Sequence, residues 1–209
     1  MEFPYTVAPH LDYFSIPRAE FIARRPEFDS FAVGGYVFSQ DGPLDGPATR
    51  RILLLQRALT DSMLGCWEGP GGASESDDQT LLDGVVREVL EETGLHVSKV
   101  VELVGVDSWT HTRRLDGVKF RIAKYSFIVE VYEAFQQPLE RIPVPVATEE
   151  IPVRLEATEH QAFEWATEQE VRDSAQTGQG KYKLSLPSMG PQGANILRSF
   201  EMIRARDTN

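Results

Sequence analysis

Glu88, Glu91 and Glu92 lie three and four residues apart within Arg87-Glu88-Val89-Leu90-Glu91-Glu92-Thr93-Gly94-Leu95. On an α-helix that spacing places all three carboxylates on one face. Like charges so placed repel by roughly 0.2–0.5 kcal/mol per pair. A hard divalent cation with oxygen ligands would offset the repulsion. Such a cation polarises phosphoryl oxygens and lowers the pKa of water, which is the chemistry of diphosphate hydrolysis. The competing reading is a solvated acidic face. The joint presence of a Gly71-Gly72 turn, helix caps, Arg87 and a closing Gly94 weighs against it.

Those residues need a helix to align them, and the spacing predicts one over 80–93. Leu81, Leu82, Val85, Val89 and Leu90 form an apolar stripe on a face away from the carboxylates. Thr80 suits the N-cap, and Asp77 and Asp78 complement the positive end of the helix. Gly94 suits the left-handed residue that closes a helix, with Leu95 as its hydrophobic lock. Gly84 costs about 1 kcal/mol against Ala in mid-helix, which implies close packing there. Upstream, Trp67-Glu68-Gly69-Pro70-Gly71-Gly72 provides a sharp turn that exposes backbone groups.

This stretch resembles the Nudix hydrolases, whose signature is Gly, five residues, Glu, seven residues, then Arg-Glu-U-x-Glu-Glu-x-Gly-U, with U aliphatic. Arg87, Glu88, Val89, Glu91, Glu92, Gly94 and Leu95 match the second half position by position. The first half departs from it. The expected Glu falls on Gln79 counting back from Arg87 and on Asp78 counting forward from Gly72. The loop is one residue longer than the pattern, and the Glu is absent in either register. In the family that Glu mainly braces the Arg, so its absence bears on rigidity more than on chemistry. The resemblance runs from about Phe31 to Val171. It implies an α/β/α sandwich with a mixed β-sheet and an activity of pyrophosphohydrolase type. It also implies a Mg²⁺ or Mn²⁺ site formed by Glu88, Glu91, Glu92 and the carbonyl of Gly71.

By the same resemblance, Glu88 either assists the metals or serves as general base, and Glu91 shares catalytic duty. Glu159, six residues before Trp165, corresponds to a Glu that relatives bring from the opposite side of the site to ligate a metal or activate water. Arg57, at the end of an apolar strand, would contact substrate phosphates, for which Arg is suited; a solvated strand-end Arg is the plain alternative. Glu68 reads as a solvated loop residue. Arg113, Arg114, Lys119, Arg121 and Lys124 read as the solvated face of a hairpin, His111 and His160 as structural, and Trp67 and Trp109 as packing residues.

The chain has 209 residues, 41% of them hydrophobic, enough for one domain with a sizeable core. We divide it into an N-terminal extension, 1–30, and a Nudix domain, 31–209. Its 32 acidic and 21 basic residues give a net charge of −11. That balance disfavours nucleic-acid duplexes, whose binding depends on Lys and Arg. It permits a phosphorylated, nucleotide-derived small molecule if a metal bridges the negative charges. Cys66 is the single cysteine, which excludes an intrachain disulfide and a Cys-based zinc site. No leader is expected within Met1–Ile16, and no apolar run is long enough to span a bilayer. A cytoplasmic or nuclear location is expected.

Along the chain, a short helix is expected over 17–25, with strands at 31–38, 52–56, 103–112 and 118–131. Asp41-Gly42-Pro43 and Asp45-Gly46-Pro47 signal turns, and Leu115-Asp116-Gly117 signals a hairpin. A variable loop over 136–150 is followed by a strand that starts at Val153 and Leu155 and continues through 162–165. Thr167 to Glu170 has the spacing of a capping box and opens a helix. A final helix spans 191–206. Phe31–Phe38 and the extension could support a homodimer or cover the monomer's own core. Hydrolysis of a nucleoside diphosphate linked to another moiety is the leading expectation. A non-enzymatic Nudix-fold binding module is the alternative.

Overall fold

The computed structural model describes residues 3–41, 49–59, 63–113, 115–136, 144–177, 180–184 and 192–207. In chain order the strands are β1 (Thr6–Val7), β2 (Ser30–Asp41), β3 (Thr49–Arg57), β4 (Trp67–Glu68), β5 (Val97–Thr112), β6 (Lys119–Val131), β7 (Phe135–Gln136), β8 (Val144–Pro145) and β9 (His160–Thr167). The α-helices are α1 (Arg18–Ala23), α2 (Leu81–Thr93), α3 (Glu168–Thr177) and α4 (Gln192–Asp207). A seven-stranded mixed sheet runs β1-β5-β6-β2-β3-β4, with β9 also paired to β3. β2 runs parallel to β6 and, at its far end, antiparallel to β3 through Phe38 and Ile52. The two strands predicted from Leu103 onward form an antiparallel hairpin, turned at Gly117 with φ +72°. β5 begins at Val97, earlier than predicted. Three register shifts along its ladder break the alternation that would have marked its start.

Each face of the sheet carries an apolar layer. On one, Val33, Leu53, Leu82, Val85, Val89 and Phe127 pack together under α2. Leu11, Phe14 and Phe21 from the N-terminal segment join that same cluster. On the other, Tyr36, Ile52, Leu54, Tyr182, Ile196 and Phe200 pack under α4. The result is the expected α/β/α sandwich. The apolar side chains Phe31, Val33 and Val37 of β2 are buried within this chain's own core.

α2 forms where predicted. The Thr80 hydroxyl accepts from the Asp83 amide at 3.1 Å while Asp83 accepts from the Thr80 amide, a reciprocal cap. Gly94, at φ +69°, closes the helix and its amide bonds back to the Leu90 carbonyl. The helix lies tight on β2: a Cβ on Gly35 would stand 2.6 Å from Val89 Cγ2.

One predicted strand start fails. Val153 and Leu155 are not in a strand, and β9 begins at His160. The Arg154 amide is committed elsewhere, donating to the Thr93 carbonyl at 2.8 Å. It satisfies one of the carbonyls left open at the end of α2. The two apolar side chains still pack on the core, which explains their strand-like pattern. The predicted turns over 42–48 and Arg114 lie outside the described residues.

Candidate active site

The Pro70–Ser74 segment is laid against β2. The Gly35 and Val33 amides donate to the Pro70 and Gly72 carbonyls, and the Ser74 amide donates to Phe31. This close approach requires the glycines. Gly71 has φ +152°, and a Cβ there would stand 2.3 Å from the Val33 carbonyl oxygen. A Cβ on Gly72 would sit 2.7 Å from Glu88 Oε2. The turn therefore fits closely over the carboxylates of α2.

The three carboxylates are not equivalent. Glu92 is 5% exposed and Glu88 is also buried, whereas the Glu91 side chain is 58% exposed. The Gly71 amide donates to Glu92 Oε2 at 2.7 Å. Burial pushes the Glu92 carboxyl up to about 8, aided by the charges of Glu88 and Glu68 and opposed by the Gly71 amide and Lys124. Burial also raises Glu88, against the pull of Arg87. Arg87 Nη1 donates to Glu88 Oε1 at 2.8 Å and to Glu91 Oε2 at 2.9 Å. Part of the repulsion read from the sequence is thus offset by an arginine on the same helix.

Asp78 takes up the bracing that the missing Glu would provide. Its carboxylate accepts from Arg87 Nε at 3.0 Å and from the Glu75 amide at 2.7 Å. Burial alone would raise this carboxyl. The Arg87 guanidinium, the Glu75 amide and the charge of Arg18 together hold it below the usual range. Arg87 is in turn held more firmly protonated, chiefly by Asp78. Gly84 explains how the shorter side chain fits, because a Cβ there would meet Asp78 Oδ2 at 2.7 Å. The extra loop residue and the shorter acid compensate each other. Gln79 contributes its backbone instead, its carbonyl accepting from the Arg18 amide at 2.7 Å.

Opposite the helix, Glu159 and Glu156 line the same cleft as Glu88, Glu91 and Glu92, a space of about 210 Å³. Ligand atoms of Glu92, Glu159 and His160 all lie within 4.8 Å of one another. His160 Nε2 stands 3.9 Å from Glu92 Oε1. His160 aligns with Arg57 where the β3–β9 register shifts. The structure thus brings Glu88, Glu91, Glu92 and Glu159 to one cleft, with Gly71 anchored to it through Glu92. Arg57 stands at the end of β3, where its guanidinium pairs with Glu68.

Two sequence expectations are overturned here. Glu68 is 3% exposed and lies on β4, with Arg57 for a partner. Lys124 is 7% exposed and acts on Glu92 and Asp107, while Arg113, Lys119 and Arg121 on the same hairpin are exposed as expected. Lys124 lies in an unbroken buried run, Ala123–Val129, and a charge within such a run was the available signal. His111 is exposed, Trp109 is half-buried, and Trp67 packs edge-on to Tyr182 at 5.2 Å.

An α/β/α sandwich that gathers carboxylates from a capped helix and a facing loop around one cleft defines the class of protein. The NUDIX domain family model matches residues 31–186, and the chain belongs to that family. A MutT-like protein of Streptomyces ambofaciens is 41% identical over 109 residues, covering 52% of this chain and 59% of that protein. The chain thus spans somewhat over half the length of that relative. The NUDIX domain of Shewanella oneidensis NrtR, solved with ADP ribose, superposes with a TM-score of 0.53. It is 15% identical, with 88% of this chain and 97% of that chain covered, and supports the fold. Among the described residues no helix is long and apolar enough to cross a membrane.

Proposed function

We propose that the protein hydrolyses a nucleoside diphosphate linked to another moiety, with Mg²⁺ or Mn²⁺, in the cytoplasm or nucleus. The observation that carries this reading is the convergence of Glu88, Glu91, Glu92 and Glu159 on one cleft beneath a glycine turn. The donor set fits a hard cation: carboxylate oxygens dominate, and the turn leaves no room for a side chain at Gly72. Glu88, Glu91, Glu92 and the Gly71 carbonyl would hold the cation. When bound it would polarise a phosphoryl oxygen and make water easier to deprotonate.

The chain's own groups supply the rest. Arg87 fixes Glu88 and Glu91, and the Gly71 amide fixes Glu92. Glu159, close enough for its charge to act on Glu88, would take the proton from the attacking water. The water oxygen bonds to phosphorus as the bridging P–O bond breaks, leaving two phosphate-bearing products. Arg57, oriented by Glu68, would contact the phosphates of the substrate.

The test is product release from nucleotide sugars, dinucleotides, ADP-ribose and nucleoside triphosphates with Mg²⁺ or Mn²⁺. Cleavage of at least one diphosphate-linked member, abolished by EDTA, is expected. Robust nucleotide binding with every member intact would instead establish a non-enzymatic binding module.

A further inference from the structure

Residues 3–28 lie outside the span matched by the family model, yet they grip the segment that departs from the family pattern. Arg18 Nε donates to Ser74 Oγ at 2.8 Å and Arg18 Nη2 donates to the Ser74 carbonyl at 2.9 Å. Pro17 forms an antiparallel bridge with Thr80. Tyr5 donates its hydroxyl to Asp83 Oδ1 at 2.7 Å, at the first turn of α2. The segment is itself anchored, because Leu11, Phe14 and Phe21 are buried in the core under α2. On the other side of the loop, Arg87 Nη2 donates to the Ala73 carbonyl at 2.8 Å. Two guanidinium groups, one from α2 and one from the N-terminal segment, therefore hold adjacent residues of the loop.

We propose that the N-terminal segment is a clamp on the Gly72–Thr80 loop and that Arg18 is a positioning residue for the carboxylate site. Arg18 fixes Ser74, the loop holds Asp78 against Arg87, and Arg87 sets the directions of Glu88 and Glu91. A planar guanidinium can grip the Ser74 hydroxyl and carbonyl together, which a lysine ammonium on a flexible stem does less well. For turnover the proposal rests on the hydrolytic reading above; for loop order and cation binding it does not.

The test uses the full chain with Arg18→Ala, Arg18→Lys and Ser74→Ala. Its readouts are amide hydrogen exchange, Mn²⁺ titration, and kcat and KM on whichever substrate is cleaved. In Arg18→Ala, exchange at residues 73–79 should quicken while the middle of α2 keeps its protection. Mn²⁺ affinity and kcat should each fall about 10-fold, the range for partners that orient metal ligands, with KM nearly unchanged. Arg18→Lys should recover less than half of either loss. Ser74→Ala removes one acceptor only and should weaken Mn²⁺ binding about 3-fold, as one hydrogen bond does. It decides the matter if Arg18→Ala does not fold. Unchanged loop exchange and Mn²⁺ affinity in a folded Arg18→Ala, or in Ser74→Ala, would overturn the clamp. A loosened loop and weaker Mn²⁺ binding would support it even if the parent protein cleaves nothing, in which case only the hydrolytic reading falls.

Discussion

From Leu81 to Thr93 the chain is a helix whose caps are its immediate neighbours, Thr80 and Gly94. From Gly72 to Thr80 it is a loop held by Arg18, Phe31, Val33 and Arg87, the first of them 56 residues from its partner Ser74. The helix displays the carboxylates, and the loop decides how firmly they are aimed. A chain can therefore depart from its family pattern in the loop, keep the helix intact, and recover the lost brace from Asp78 in a loop that Arg18, outside the motif, helps to hold.

Substitutions should separate the two regions. The largest effect belongs to the helix. Glu92→Gln keeps the Gly71 contact but removes a charged ligand, and turnover with Mn²⁺ should fall at least about 100-fold. Unchanged turnover would remove Glu92 from the site. A second consequence is pH-dependent. The folded-state pKa of Glu92 is about 8 against an ordinary 4.5. The folded state therefore binds this proton more tightly than the unfolded state. The stabilisation is complete below the unfolded value and is lost as pH rises through about 8. The thermal midpoint of cation-free protein should fall between pH 6 and pH 9, less so in Glu92→Gln. Saturating Mn²⁺ should reduce the fall in the parent. An equal fall in both proteins would place the strain elsewhere. The smallest effect is at the junction. Thr80→Ala should cost about 1 kcal/mol through the lost cap, a drop of about 2–4 °C in thermal midpoint.

The same contrast explains what could be read from the sequence. Helix α2 was legible to its caps because its signals are local: the stripe Leu81, Leu82, Val85 and Val89, with Thr80, Gly94 and Leu95, although Leu90, read into the same stripe, is exposed. The hairpin at Gly117, the short helix within 17–25 and the capping box at Thr167 were legible for the same reason. The bracing role of Asp78 was not, because it depends on a lengthened loop that brings a shorter acid to Arg87 over the bare Gly84. Val153 and Leu155 carried an apolar alternation that core packing, rather than strand pairing, had produced. Glu68 and Lys124 misled because long polar side chains read as solvated; strand pairing encloses both with opposite charges, and for Lys124 its place within Ala123–Val129 was the one signal.

The account turns on the bond between loop and helix, and a double-mutant cycle between Asp78 and Arg87 measures it most directly. Asp78→Asn, Arg87→Gln and the double variant would be compared by chemical denaturation and by Mn²⁺ affinity. If Asp78 is the brace, the double variant loses less than the sum of the single losses, with a coupling of about 1–2 kcal/mol, within the range for buried charged partners in contact. Losses that add to within about 0.3–0.5 kcal/mol would show the two residues acting independently and would contradict the account.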